Sequence, residues 1–318
     1  MMHELCRCGP ASISSVLHHH KESNLKMKLR ILYLTIFLSI ISLVGWNWKK
    51  DPSASGGNST KDNLVSVAGG IFTADSTPVT ISSFFMDKNE VTYELWTEVK
   101  NWGLSHGYTD LPSGENGCRP VGLNNPVTQV NWYDVVKWCN ARSEKDGFTP
   151  VYYIDGSQSI LYRTGQIDIN NDAVKWTANG YRLPTECEWE YAARGGIHTH
   201  GYKFSGSNTI EDVAWYYINS ENTTHPVGQK KANELGIYDM NGNVWEWCWD
   251  WYCDTYPSGG TTDPKGPDTT QRFRLQRGAS FDYRDFNCWV GVRLSDLSMT
   301  LPDYRDANLA IGFRCVKK

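Results

Sequence analysis

The sequence lacks the features that mark several large classes of protein. Its 318 residues carry a net charge of only −4 and nine cysteines, and they show neither an internal repeat nor a heptad pattern. A net charge this close to neutral does not indicate the basic surface that binds the phosphate backbone, so no nucleic-acid partner is expected. Nine cysteines are also too few for a disulfide-dense scaffold in a chain of this length.

Long hydrophobic runs are equally scarce. The stretch from 31 to 46 contains sixteen residues without a charge, which is fewer than the roughly 18–20 of a spanning helix. The basic segment KMKLR precedes it and polar residues follow it, so 27–46 is predicted to be a signal peptide or a short membrane anchor. Residues 1–26 lie upstream of this export signal, and Met27 is therefore an alternative start. We expect an exported protein that is periplasmic, on the cell surface or anchored in the membrane.

Aromatic residues and glycine are plentiful, with 14 Trp and 28 Gly. This mixture is typical of a loop-rich fold in which large rings hold irregular segments. After a polar linker at 47–63, the stretch 64–72 alternates and predicts a hairpin that turns at Gly69-Gly70. Alternating tryptophans predict a strand with one face in the core, or else an aromatic platform for glycans; they are Trp245, Trp247, Trp249 and Trp251.

Three helices are predicted from their capping residues. Thr92 and Asn131 each precede a run with apolar residues at helical spacing, and Gly147 follows the second run. Thr185 begins a third helix, with Glu188 at the capping-box position. The fold class expected for residues 64–318 is therefore α+β, in one domain with many irregular loops.

Several stretches, taken in order, resemble the formylglycine-generating enzyme family, also called the sulfatase-modifying-factor family. The resemblance implies a C-type-lectin-like fold for 64–318. The stretches that carry it are NEVTYELW at 89–96, PVTQVNWYDVVKWCN at 126–140, YRLPTECEWEYAARGG at 181–196, THPVGQKKANELGIYDMNGNVWEWCWDWY at 224–252, DPKGP at 263–267, RGAS at 277–280 and IGFRC at 311–315.

The family enzymes oxidise a cysteine of a sulfatase to formylglycine and use two active-site cysteines that hold Cu(I). The first of these lies three residues after the serine of a glycine-containing turn, and the second lies five residues later. Here the serine is Ser280, but the two positions hold Tyr283 and Cys288. Because one thiolate and a phenol do not make the soft two-thiolate site that Cu(I) prefers, copper is not expected. The alternative that remains is an oxidase acting on a sulfatase peptide, with Cys288, Ser280 and Trp245 as its catalytic residues.

The resemblance also implies a calcium ion and a disulfide. Calcium would be held by the carboxylates of Asp239 and Glu246 and by the backbone carbonyls of Gly242 and Val244, which are the hard oxygens it prefers. The other interpretation is that Asp239 is only a turn residue and Glu246 a salt-bridged strand residue. The disulfide would join Cys139 to Cys315, while pairing of Cys248 with Cys253 is left open.

Residues 281–310 lie between two family landmarks and mix aromatic, arginine and aspartate side chains. This is the composition of a binding surface, and the arrangement resembles the variable proteins of bacterial diversity-generating retroelements. We therefore predict a protein or glycan ligand here; the alternative is a surface without a special role. A binder should expose an aromatic patch, whereas an enzyme should expose Cys288 with a lowered pKa. The predicted ligand-binding residues are Asp282, Tyr283, Asp285, Phe286, Trp289, Leu294, Asp296 and Tyr304.

Overall fold

The N-terminal strands form two separate sheets. The computed structural model describes residues 63–117, 122–258, 260–293 and 308–318. Strand β1 (Leu64–Val67) pairs antiparallel with β4 (Phe84–Asp87), whereas β2 (Gly70–Ala74) pairs with β3 (Thr77–Ile81). The predicted segments 1–26 and 27–46 and nearly all of the linker lie outside the described residues. Within the described ranges, no helix is long and apolar enough to cross a membrane.

The hairpin predicted at Gly69-Gly70 is wrong. The two-residue turn lies at Asp75 and Ser76, which both adopt positive φ angles, and it joins β2 to β3. Gly69 instead carries the chain from one sheet to the other, past the backbone of Ile81. A Cβ atom at Gly69 would lie 2.7 Å from the Ile81 carbonyl oxygen, so the glycine serves a close backbone approach rather than a turn.

All three predicted helices are present with the predicted caps. They are α1 (Tyr93–Leu104), α2 (Trp132–Lys145) and α3 (Glu186–Ala193). The side chains of Thr92, Asn131 and Thr185 each accept a hydrogen bond from a first-turn amide, and the last two form complete capping boxes. These caps satisfy amides that a helix cannot pair internally. A fourth helix, α4, is a single turn at Ile210–Val213.

Strand β5 (Trp245–Trp251) runs through the middle of the core. It pairs antiparallel with β6 (Arg274–Arg277) and parallel with β7 (Ile311–Gly312). All seven of its residues are buried, so the prediction of only one buried face is wrong. The tryptophans of β5 are at most 2% exposed and cannot form a glycan platform.

Helices and strands are mixed, as the α+β prediction requires. The C-terminal strand β8 (Val316–Lys317) returns to pair with β4, which closes the first sheet with the end of the chain. Strand β6 leads directly into the turn at 278–280 and the segment 281–293. The core strands therefore position the sequence in which chemistry or binding is predicted.

Candidate functional site

The turn after β6 is built tightly against the core. Gly278 and Ala279 both have positive φ angles, of 98° and 65°, and a Cβ at Gly278 would lie 3.2 Å from the Trp189 ring. The buried Ser280 hydroxyl donates a 2.6 Å hydrogen bond to Asp282 Oδ1. The Ser280 hydroxyl therefore stabilises the turn through its hydrogen bond to the Asp282 carboxylate.

Tyr283, at the first cysteine position of the family pattern, is a packing residue. Its ring meets the Trp245 ring edge-on at a centroid distance of 5.2 Å. Burial raises the pKa of the Tyr283 phenol, and the charge of Asp282 raises it further. The phenol is neutral at physiological pH, so it offers no anionic oxygen to a metal.

Cys288 lies beneath the surface at the end of a short 3₁₀ helix, Asp285–Cys288. Its side chain is 0% exposed, and its Sγ lies 3.6 Å from the carbonyl oxygen of Arg284. Burial raises the pKa of the Cys288 thiol to about 12, with a further contribution from the charge of Asp285. This environment is the opposite of the exposed thiol of lowered pKa that an enzyme needs.

The same segment exposes large aromatic side chains to solvent. Phe286 is 53% exposed and Trp289 is 43% exposed, and the charged residues Asp282, Arg284 and Asp285 are exposed beside them. Lys203 places its Nζ 4.1 Å from the centroid of the Trp289 ring. The pattern is the one expected for a binding surface. The remaining predicted contact residues, Leu294, Asp296 and Tyr304, lie outside the described residues.

Two residues of this surface were missed by the sequence reading. The amide of Tyr217 donates a 2.9 Å hydrogen bond to the carbonyl of Tyr283, which brings a distant loop alongside. Tyr217 is 55% exposed and its neighbour Ile218 is 72% exposed. Nothing in the sequence indicates this contact, because the two loops are far apart along the chain. We call Tyr217, Ile218, Tyr283, Phe286 and Trp289 the aromatic face.

Two arginines, the buried Arg277 and the partly buried Arg293, fix the segment that carries the aromatic face. Arg277, at its start, is paired with Glu190 of α3 and donates a 2.5 Å hydrogen bond to the carbonyl of Val292. Arg293, at its end, binds both carboxylate oxygens of Glu186 at 2.6 and 3.0 Å. Such charge-assisted bonds are stronger than neutral ones, so both ends of the segment are held on one helix.

The predicted calcium residues surround a buried acidic cluster. Asp239 adopts a positive φ angle, and its Oδ2 accepts a 2.6 Å bond from the Gly228 amide while its Oδ1 has no hydrogen-bond partner. The Glu246 carboxylate accepts bonds from Arg314 at 2.6 and 2.7 Å and from Trp189 at 2.8 Å. A Cβ at Gly242 would lie 2.1 Å from the Trp215 carbonyl, so this turn requires glycine.

A third carboxylate, Glu90, belongs to the same cluster. It accepts hydrogen bonds from the Asn243 side chain at 2.6 Å and from the Val244 amide at 3.2 Å. Burial raises the pKa of Glu90, and the charges of Asp239 and Glu246 raise it further. Burial also raises the pKa of Asp239, to about 6. Three buried carboxylates thus share one guanidinium, that of Arg314, and a divalent cation would offset the excess negative charge.

No side-chain cluster of three or more His, Cys, Asp or Glu residues in the described ranges is arranged to hold a metal. A calcium ion bound by Asp239 and Glu246 would therefore depend on backbone carbonyls for further ligands, as the sequence resemblance implies. The unpartnered Oδ1 of Asp239 is consistent with such a ligand set.

Cys139 and Cys315 are brought together as predicted. Their sulfur atoms lie 3.6 Å apart in the core, as two thiols in contact. A disulfide would bring the sulfurs to about 2.05 Å, and the bond itself stays a prediction. Cys248 and Cys253 are both free thiols in this structure.

Comparisons with known proteins place the fold in a family. The model of the sulfatase-modifying factor enzyme 1-like domain matches residues 49–318. A curated relative, "Chaperone protein LppX" of Paenibacillus barcinonensis, is 38% identical over 86% of this chain and 93% of its own length. The formylglycine-generating enzyme of Mus musculus is 29% identical over 79% of this chain and 74% of its own length.

A solved structure supports the same assignment. The Treponema denticola variable protein 1 is 31% identical, covers 80% of this chain and 94% of its own, and superposes with a TM-score of 0.62. The predicted α+β, formylglycine-generating-enzyme-like fold is thereby confirmed, as is the resemblance to a variable protein of that fold. The chain belongs to the sulfatase-modifying factor family.

Proposed function

We propose that this chain is an exported protein whose sulfatase-modifying-factor-like domain binds a protein ligand through the aromatic face. The observation that carries the proposal is the arrangement of residues 281–293. Phe286 and Trp289 are exposed on a segment whose ends are fixed by arginines, while Cys288 is buried beneath them as a neutral thiol. Exposed, rigidly held aromatic side chains are the usual anchors of protein interfaces.

One of the named relatives supports a binding role. The relative with 38% identity is named a chaperone protein, and a chaperone acts by contact with other proteins. The variable protein of Treponema denticola shares the fold. We infer a protein rather than a glycan as the ligand of the aromatic face, because exposed charges of both signs lie beside its exposed rings. Export, or anchoring to the membrane by 27–46, would bring this face to ligands outside the cytoplasm.

The metals implied by the family fit this chain unequally. The residues present do not fit the two-thiolate copper site, since Tyr283 replaces one thiolate and the other position is a buried, protonated thiol. The unpartnered Oδ1 of Asp239 fits a calcium ion, and Glu246, whose carboxylate also accepts bonds from Arg314, would complete the site with the carbonyls of Gly242 and Val244. Calcium there would neutralise buried carboxylates and fix the turn before β5, which is a structural role.

The first experiment separates binding from oxidation. The full chain is incubated with a peptide carrying the sulfatase cysteine motif, Cu(I), oxygen and a reductant, and the peptide is examined by mass spectrometry. We expect no aldehyde. Aldehyde that disappears in Cys288→Ser would overturn the proposal and make the protein a formylglycine-generating oxidase with an unrecognised ligand set.

The second experiment tests the aromatic face. Immobilised full chain and the Phe286→Ala/Trp289→Ala double variant are compared for capture of exported proteins from the source organism, with quantification by mass spectrometry. The matched control is Ile71→Ala, which removes a side chain that is 71% exposed on strand β2, outside the aromatic face. We expect specific proteins to be lost with the double variant and retained with the control. Equal capture by all three proteins would contradict the proposal.

A further inference from the structure

A groove built from other segments of the domain lies outside the aromatic face. It has a volume of about 610 Å³ and is lined by the segment 170–172 and by Trp176, Lys265, Gly266 and Asp268. A smaller cavity of about 70 Å³ shares Trp176 and Lys265 with it. The larger volume is within the range of small-molecule sites, about 300–1,000 Å³.

Indole groups hold the polar wall of this groove in place. Asn171 Oδ1 accepts a 2.8 Å hydrogen bond from Trp249, and Asn171 carbonyl oxygen accepts one of 3.1 Å from Trp176. Asn170 Oδ1 accepts a 3.3 Å bond from Trp251. The backbone is further wound into a short 3₁₀ helix at Asn171–Ala173. A wall fixed in this way loses little conformational entropy when a ligand binds.

The groove combines one aromatic ring with charged and amide groups. The half-buried Trp176 meets Trp249 edge-on at 5.7 Å, and Lys265 Nζ lies 4.8 Å from the Trp176 centroid. Asp172 and Asp268 are exposed carboxylates at the rim, and Asp268 accepts a hydrogen bond from the Asn171 amide. A Cβ at Gly156 would lie 2.5 Å from Asp172 Oδ2, so the absence of a side chain there leaves room for this carboxylate.

We propose that this groove is a binding site for a neutral saccharide, a second activity beyond the protein binding assigned to the aromatic face. A sugar ring presents an apolar C–H face that an indole covers, and hydroxyls that both donate and accept hydrogen bonds. Carboxylate oxygens accept from hydroxyls, while amide and ammonium groups donate to them. Two carboxylates against one lysine leave the groove with net negative charge, which disfavours uronic, sulfated or phosphorylated ligands.

The test uses the full chain and a panel of maltotetraose, cellotetraose, mannotetraose and chitotetraose, measured by calorimetry and by tryptophan fluorescence. We expect saturable binding of at least one of them, weakened about tenfold or more by Asp172→Asn and by Lys265→Ala, because each removes a charged hydrogen-bonding group. Asp172 is exposed and Lys265 is only partly buried, so these variants should fold as the parent does, which circular dichroism verifies. Ile71→Ala, exposed on β2, is the matched control and should bind unchanged, while Trp289→Ala reports any binding at the aromatic face.

Two results would overturn the inference. One is the absence of binding by every saccharide at up to about 5 mM, which exceeds the dissociation constants of weak sites. The other is binding that Trp289→Ala abolishes and Asp172→Asn leaves intact, since the saccharide would then occupy the aromatic face. The second result would also identify a glycan as the ligand of that face, whereas the first would leave the proposed protein binding unaffected.

Discussion

The environment of the Cys288 sulfur atom decides whether this cysteine can act as a reactive thiolate or stays a protonated thiol. A thiolate is the reactive form of cysteine, and it needs exposure or a nearby positive charge. Cys288 has neither, since it is buried, with Asp285 as the neighbouring charge that raises its pKa. The sequence places this cysteine at a position of the family pattern, but burial depends on contacts that a single sequence does not contain.

This environment predicts that the Cys288 thiol does not react with alkylating reagents in the folded protein. Treated with iodoacetamide at pH 7.5, the folded protein should be alkylated at the partly exposed Cys253 and remain unmodified at Cys288, because the thiol is protonated and covered. Peptide mapping by mass spectrometry before and after unfolding in guanidinium measures both sites. Rapid alkylation of Cys288 in the folded state would show that the thiol is accessible and would revive the enzymatic alternative.

Asp250 gives a residue-scale prediction for pH. Burial raises the pKa of its carboxyl to about 8, and the charge of Glu186 raises it further. In the unfolded chain the pKa of an aspartate carboxyl is about 3.9. Between these two pKa values, the folded protein therefore keeps a proton on Asp250 that the unfolded chain has released. The free energy of unfolding therefore falls as pH rises, by about 1.4 kcal/mol per pH unit.

Asp250→Asn should remove this dependence, because an amide oxygen still accepts the 2.7 Å hydrogen bond from the Glu186 amide without a buried charge. We expect the variant to be more stable than the parent at pH 8 and the two to converge near pH 4. Urea unfolding at several pH values measures the difference, with the exposed Asp254→Asn as control. An Asp250→Asn variant that is less stable at pH 8 would contradict the assignment.

At the scale of elements, the sequence specified helices better than strands. Caps are local, so Thr92, Asn131 and Thr185 could be recognised from residues three positions away. Strand pairing is not local. Gly69-Gly70 has the composition of a hairpin turn, yet β1 pairs with β4, which in turn pairs with β8. The alternation of tryptophans in β5 suggested one buried face. In the structure, contacts from α2 and α3 bury the whole strand. Trp132 Nε1 of α2 donates a hydrogen bond to the Cys248 carbonyl, and Trp189 Nε1 of α3 donates one to Glu246.

The segment 281–293 is an element whose order depends on its anchors. Arg293→Gln removes the two bonds to Glu186, so we expect faster amide hydrogen exchange in 284–292 and a loss of about 1–3 kcal/mol in the free energy of unfolding. Peptides from α1 should exchange as before. Arg284→Gln, which alters an exposed arginine of the same segment, is the control. Unchanged exchange in 284–292 would mean that packing alone orders the segment.

At the scale of the whole molecule, the site is assembled from distant parts of the chain. Residues 281–293 could be predicted as a surface because they lie between family landmarks. Tyr217 and Ile218 could not, since only the folded backbone brings Tyr217 to Tyr283. The acidic cluster shows the same limit: Asp239 and Glu246 follow from the family pattern, while Glu90 joins them from the other end of the domain.

Calcium should stabilise the folded domain as a whole. Binding to the native state alone raises the free energy of unfolding by about 2.7 kcal/mol when free calcium is at a hundredfold excess over its dissociation constant. We expect the melting temperature to rise with added calcium and fall with chelator, and Asp239→Asn to abolish the difference. Asp75→Asn, in the exposed β2–β3 turn, is the matched control. A melting temperature independent of calcium in the parent protein would exclude this site.

A disulfide between Cys139 and Cys315 would join two parts of the domain that lie far apart along the chain. Cys139 lies on α2, and Cys315 directly precedes β8, 176 residues later. Phe313 packs edge-on against Trp138 at 5.2 Å and Trp96 at 6.0 Å, so the sulfurs meet inside a region already ordered by rings. In the chain-entropy model, closing so long a loop stabilises by about 4–5 kcal/mol.

Protein produced in an oxidising compartment should therefore contain this disulfide, detectable by peptide mapping without reductant. A reducing agent should lower the urea midpoint of the parent protein and leave that of a Cys139→Ala/Cys315→Ala variant unchanged. Two free thiols at these positions in protein produced in an oxidising compartment would refute the pairing. The C-terminal strand would then be held by the packing of Phe313 against Trp96 and Trp138 and by the backbone hydrogen bonds of Cys315 and β8, without a covalent link to α2.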